Sequence, residues 1–283
     1  MQECLHPHIA QIQAGLYDLV EHCELFLRET AVPRYNCLMF TTLNSTPRYW
    51  LIALLILWAV LLFGGFAFGP ADPSQRMPKW TRLTSSAVLV LAGWSWFLLT
   101  RQNVANGFVL WLAIGMTFGF LGDLFMAGMM PGGRNVLGGM ATFGLGHVAY
   151  IIGIWRFGSQ IGLTGGTARW ASLIVWWIIG AVLWYFVVYR GQQATTLHYA
   201  ALPYALLLAS TAGMATGLAI QQGQFTWLAV GAALFLISDL ILAAQLFNDL
   251  SFFLIGDVIW LTYGPGQMLI VYSAATAVAL IGK

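Results

Sequence analysis

An all-α bundle of eight membrane-crossing helices is the fold this sequence predicts, and three observations predict it. Hydrophobic residues make up 59% of the 283 positions and charged residues only 8%, against about 25% charged in a soluble domain. Long apolar runs recur along the chain, each approaching the ~20 residues needed to cross ~30 Å of hydrocarbon. The runs are continuously apolar, whereas strands of a membrane barrel alternate apolar and polar residues over ~10 positions. So few charges cannot cover a water-facing surface, which excludes an ordinary soluble enzyme and a disordered chain. A formal net charge of +2 leaves no dense basic face for nucleic acid.

Residues 1–48 stand apart as an N-terminal extra-membrane segment. They hold five of the ten acidic residues and three of the five histidines. Ile9, Ile12, Leu16, Leu19, Cys23 and Leu27 recur at spacings of three or four, which suits a short amphipathic helix on a membrane surface. A second reading starts the protein at Met39. No basic region followed by an apolar core occurs here, so the segment is not read as a secretory signal. Cys4, Cys23 and Cys37 all fall in it. An odd count without a CxxC pair supports neither a disulfide framework nor a cysteine-rich metal site.

Residues 49–283 form the membrane domain. Its spans fall at 49–68, 82–99, 107–130, 136–157, 170–189, 197–220, 226–247 and 252–281. Short loops separate them, marked by Pro, Gly or Arg: Pro70 to Pro78, Pro131 to Arg134, Gly162 to Arg169 and Arg190 to Gln193. None could hold a soluble domain, so any chemistry occurs inside the bundle or at its rim. Eight spans put both termini on one side. That side would carry seven cations (Arg28, Arg34, Arg48, Arg101, Arg156, Arg169, Lys283) against five on the other (Arg76, Lys79, Arg82, Arg134, Arg190). The excess favours cytoplasmic termini in a multi-pass protein of the bacterial cell membrane.

Two stretches resemble each other. Gly122-Asp123-Leu124-Phe125-Met126-Ala127 with Phe143-Gly144-Leu145-Gly146-His147 matches Ser238-Asp239-Leu240-Ile241-Leu242-Ala243 with Tyr263-Gly264-Pro265-Gly266-Gln267. The aspartates are offset by 116 positions and His147 and Gln267 by 120. Both offsets step over four spans, which preserves direction and predicts two parallel four-helix repeats. Spans 3 and 7 then carry Asp123 and Asp239 at similar depth. Chance similarity between Leu- and Ala-rich helices is the competing explanation.

Ionisable groups inside the spans are few, and a carboxylate at the bilayer centre costs several kcal/mol unless protonated, paired or wet. Asp123, Asp239 and His147 lie well inside spans. His198 begins span 6, and Asp257 lies in the first turns of span 8, where a helix N-terminus favours negative charge. The plain alternative for each aspartate is a hydrogen-bonded carboxyl that ties helices together, and for His147 a satisfied packing histidine. Small residues surround the group: Gly115, Gly119 and Gly122 on one face of span 3, Gly144 and Gly146 before His147, and Gly264-Pro265-Gly266, expected to interrupt span 8 before Gln267. Tyr150, Tyr204, Ser238, Tyr263 and Gln267 add polar side chains. Two carboxyls sharing such a pocket can divide the roles of acid and base between them.

The run Phe120-Leu121-Gly122-Asp123, the element Phe143 to Tyr150, and Gly231 to Asp239 with Tyr263 to Gln267 resemble the lysoplasmalogenase-like (YhhN) family of eight-span membrane proteins. The resemblance covers about residues 49–281. It implies a membrane-embedded hydrolase that cleaves the vinyl ether bond of a lysoplasmalogen-like lipid with water, giving a fatty aldehyde and a glycerophospho-headgroup. On that reading Asp123 and Asp239 are jointly catalytic, and His147, Tyr150, Tyr204, Ser238, Tyr263 and Gln267 hold substrate or water. No cofactor or metal is expected, since no HExxH or multi-histidine spacing occurs. A lysolipid would require a cavity open at one membrane face, with an apolar groove for its chain. The main rival is a proton-coupled carrier of a small or lipid-like solute, which parallel repeats and buried carboxyls suit equally. An intramembrane aspartyl protease fits poorly, because Phe120 stands where its Gly-x-Gly-Asp motif needs glycine. A purely structural membrane protein remains the bland reading.

Overall fold

The computed structural model describes residues 45–191 and 193–281; the expected amphipathic segment and the three cysteines lie outside them. The described residues form eight long helices: α1 Ser45–Phe68, α2 Lys79–Leu99, α3 Asn106–Met126, α4 Val136–Gln160, α5 Gly166–Trp184, α6 Thr196–Gln221, α7 Thr226–Asn248 and α8 Ile255–Ile281. All eight are long and apolar enough to cross a membrane. Local chemistry sets several ends. Asn135 caps α4 by accepting the Gly138 amide at 2.9 Å. Thr195 and His198 form a reciprocal capping box at the start of α6, which satisfies amides that a helix start otherwise leaves orphaned. Helix α5 ends in a π-helical turn, Tyr185–Tyr189.

Short connections make successive helices antiparallel neighbours, so α3 and α7 run in the same direction. The packing follows the predicted repeat. The pairs α1–α2, α2–α3 and α3–α4 recur as α5–α6, α6–α7 and α7–α8, and α4 packs on α6 as α8 packs on α2. Two close crossings match residue for residue. A Cβ on Gly115 would lie 2.9 Å from the Gly146 carbonyl, and one on Gly231 would lie 2.8 Å from the Gly266 carbonyl. Only glycine lets the backbones approach this closely.

The symmetry breaks at one place. Helix α3 packs closely on α8, but α7 and α4 make no counterpart contact of similar extent. Gly119 leaves a slot on α3 that Gln267 fills, since a Cβ there would meet Gln267 Nε2 at 2.6 Å. The equivalent position on α7 is Phe235, whose ring packs edge-on against His147 with centroids 4.5 Å apart. A phenyl ring in place of a hydrogen holds α4 and α7 apart.

Helix α8 is the most buried of the eight, and α1 and α5 are the least. The last two carry exposed Ile56, Val60, Phe63, Ile174, Val175 and Ile178, an apolar surface suited to lipid. The expected interruption of span 8 does not occur: α8 runs unbroken through Pro265. A proline there withdraws a single backbone donor, and the close Gly231–Gly266 crossing packs this stretch against α7.

Candidate functional site

Asp123 and Asp239 line one cavity of about 410 Å³. It lies among α2, α3, α7 and α8, beneath the α1–α2 and α3–α4 loops. Asp123 is 4% exposed. Its Oδ2 accepts the Ser86 hydroxyl from α2 at 2.5 Å and the Tyr263 hydroxyl from α8 at 3.0 Å. Asp239 is half-buried and accepts the Tyr204 hydroxyl from α6 at Oδ2 and, more weakly, the Ser238 hydroxyl at 3.3 Å. Ser86 and Tyr204 sit on helices that the repeat relates, so each carboxyl receives a hydroxyl from the corresponding helix. The second donor differs. Tyr263 serves Asp123, and its counterpart near Asp239 is Phe143, which has no hydroxyl. Each carboxyl thus has two hydroxyl donors, but the second donor to Asp239 is its own chain neighbour Ser238 rather than a residue of another helix.

Of the six supporting residues expected from the sequence, three stand in these walls: Tyr204, Ser238 and Tyr263. The other three do not line either cavity. Tyr150 and Gln267 are each 1% exposed and stand behind Tyr263. The Tyr150 hydroxyl donates to Gln267 Oε1 at 2.8 Å, and Gln267 Nε2 donates to the Tyr263 hydroxyl at 3.3 Å. They form a chain that orients Tyr263 toward Asp123, with no direct access to a ligand. His147 is also 1% exposed and shares a 2.8 Å hydrogen bond between Nδ1 and the Thr211 hydroxyl. The Phe235 ring that separates α4 from α7 also covers it.

The α1–α2 loop roofs the cavity, and Asp257 holds that loop in place. Asp257 lies in the first turn of α8, as the sequence predicts. It is fully buried and accepts the amides of Arg76 at 2.6 Å and Met77 at 2.8 Å. The Leu254 and Gly256 amides in turn bond the Pro73 and Ser74 carbonyls. Within the loop, Ser74 donates to Asp72 through hydroxyl and amide, both at 2.7 Å. These donors, with the Gln75 amide, hold the Asp72 carboxyl below its ordinary range. Gln75, Lys79 and Arg82 are thereby fixed at the cavity wall.

Three cations line this cavity, Lys79, Arg82 and Arg134. In the sequence they were legible only as charges at span ends. Ser86 was also missed, since a serine in an apolar helix is common and gives no signal.

A second, apolar cleft adjoins the first. It is lined from α4 to α7 by residues that include Met140, Leu183, Ala205, Leu208, Ala243 and Phe247, and by Val188 from the π-helical turn. Met126, Phe143, Asp239 and Leu242 belong to both walls. Asp239 therefore stands where a polar cavity meets an apolar one. Among the described residues no three His, Cys, Asp or Glu side chains gather as a metal site would require.

The YhhN family profile matches residues 80–274, most of the eight-helix domain, and the chain belongs to that family. No curated protein and no solved structure matches it significantly.

Proposed function

We propose that the protein is a membrane hydrolase of lysoplasmalogen-like lipids. The observation that carries the reading is the meeting of the two cavities at Asp239. A lysolipid has a polar headgroup, one apolar chain, and a reactive vinyl ether between them. A polar cavity and an apolar cleft joined at a carboxyl suit those three parts in that order. Family membership supports the same class of reaction.

The chemistry needs an acid near the chain-side carbon and a base near water. Protonation of the β-carbon of the vinyl ether converts the double bond into an oxocarbenium ion, with the positive charge shared by oxygen and the α-carbon. Water adds to that carbon and loses a proton, and the hemiacetal collapses to aldehyde and the free glycerol hydroxyl. The β-carbon lies on the chain side of the oxygen. Asp239, which borders the apolar cleft, is suited to deliver the proton. Asp123 faces only the polar cavity and is suited to stabilise the cation and accept the proton from water. Paired carboxyls around an oxocarbenium-like ion are used in the same way by glycosidases. Tyr263, Ser86 and Tyr204 hold the carboxyls in position, and no cofactor enters the scheme.

The deciding experiment is an aldehyde assay on purified protein with vinyl ether, saturated ether and ester lysolipids of one chain length. Aldehyde from the vinyl ether alone is expected, slowed in deuterated water because a proton is transferred to carbon. Absence of aldehyde, with solute or proton flux in proteoliposomes, would replace the hydrolase with a carrier.

A further inference from the structure

We infer that Lys79, Arg82 and Arg134 form a binding site for the phosphate of the lipid headgroup. The inference rests on the lysolipid reading above for the identity of the ligand, but its geometry is independent of the chemistry at the aspartates.

All three cations line the cavity that holds both carboxyls, and they come from different elements. Lys79 and Arg82 lie in the first turn of α2, and Arg134 lies in the α3–α4 loop. Lys79 and Arg134 are exposed, Arg82 is half-buried, and Asp123 beneath them is buried. The cavity thus passes from cations at its mouth to carboxyls at depth. A lysolipid entering headgroup outward would meet the two in that order.

The donors are available. Lys79 Nζ donates one bond, to the Ala127 carbonyl at 3.1 Å, and an ammonium has three donors. Arg82 Nε has no hydrogen-bond partner among the described residues but is closed to solvent, so a ligand would be met by the terminal guanidinium nitrogens. The Arg82 guanidinium carbon lies 5.5 Å from the Trp260 ring centroid, and stacking of this kind fixes a guanidinium plane. A planar guanidinium binds phosphate oxygens bidentately, and a lysine adds a point charge. Three cations against the two lining carboxyls leave the cavity with an excess of positive charge even when both aspartates are ionised. Asp257, the other carboxyl near Arg82, is occupied by the Arg76 and Met77 amides. A phosphate at the mouth would pair with these cations without having to displace a carboxylate.

The test measures binding without turnover, using the purified full chain in a maltoside micelle and phosphate-free buffer. The probes are a saturated 1-alkyl-glycero-3-phosphocholine, the matching 1-alkylglycerol, and inorganic phosphate. The saturated ethers have no double bond to protonate, so they report affinity alone, read as thermal stabilisation against ligand concentration. The wild type should bind the phosphate-bearing lipid more tightly than the alkylglycerol by about tenfold or more, as expected for hydrogen bonds to a charged group. Arg134→Gln and Lys79→Gln, both at exposed positions where folding is little affected, should each bring that ratio toward one. Arg82→Lys should lower it less than Arg82→Gln, because charge remains while the bidentate fork is lost. A wild-type ratio near one, or a ratio unchanged in all of these variants, would overturn the site. Stabilisation by inorganic phosphate equal to that by the lipid would overturn its assignment to a headgroup. The outcomes separate from those of the hydrolase reading. A protein that binds phosphate lipid selectively but releases no aldehyde keeps this site and loses the reaction, and aldehyde release with a ratio of one does the reverse.

Discussion

Gly119 of α3 and Phe235 of α7 occupy equivalent places in the two halves, 116 residues apart, and one has no side chain where the other has a phenyl ring. The first lets α8 close on α3 through Gln267, and the second keeps α4 away from α7. The repeat supplies two carboxyls, and this single difference in bulk gives them different surroundings: Asp123 in a dense hydrogen-bonded wall, Asp239 beside an opening.

Gly119→Ala tests that relationship. The new methyl would sit 2.6 Å from Gln267 Nε2, so the amide must move and its bond to Tyr263 must lengthen. Overpacking of this kind costs about 1–3 kcal/mol. A lower unfolding temperature is expected, with a loss of activity that Gln267→Ala partly shares. A variant as stable as the wild type would show that the slot is not tight.

Asp123→Asn and Asp239→Asn retain size and an acceptor oxygen for the donor hydroxyls while removing acid and base capacity. Aldehyde release should fall by about 10²–10⁴-fold in each, with little change in stability because a neutral amide replaces a carboxyl of similar shape. Full activity in a folded double variant would eliminate the carboxyl mechanism.

Asp257 acts differently. Asp257→Ala would leave the amides of Arg76 and Met77 buried without acceptors, and each orphaned group costs about 1–3 kcal/mol. The expected phenotype is loss of stability, with amide exchange accelerating first in the loop that roofs the cavity. Asp257→Asn keeps one acceptor oxygen and should be milder. Normal loop protection in Asp257→Ala would refute the anchoring role.

The helices were legible because hydropathy is a one-dimensional property, and eight apolar runs survive any arrangement of their neighbours. The repeat was legible because its glycines, aspartates and Gly-x-Gly elements keep their spacing. Facing was not. Depth along a helix follows from position in the run, but whether His147, Tyr150 and Gln267 meet a cavity or support one depends on how helices rotate against each other. The three cations were hidden for a related reason: at span ends Lys79, Arg82 and Arg134 look like topology signals, and only the folded loops bring them over Asp123. The continuity of α8 was misjudged because Pro265 breaks helices in water more readily than in a packed bundle.

The apolar cleft should select by shape rather than by hydrophobic transfer. A membrane lipid's chain leaves hydrocarbon to enter hydrocarbon, so little apolar surface is removed from water and chain length alone should add little to kcat/KM. What the cleft can do is exclude. Ala205 lines it from α6, outside the walls of the polar cavity, so a phenyl group there would occupy the path of a long chain. Overpacking against that chain should cost about 1–3 kcal/mol, which is about 5–150-fold in kcat/KM. Ala205→Phe should therefore depress turnover of a sixteen-carbon vinyl ether lysolipid, at fixed mole fraction in mixed micelles, while a four-carbon analogue reacts as in the wild type. Equal losses on both substrates would mean that the substitution damages the fold. No loss on either would mean that the chain lies elsewhere, in the lipid-facing gap between helices.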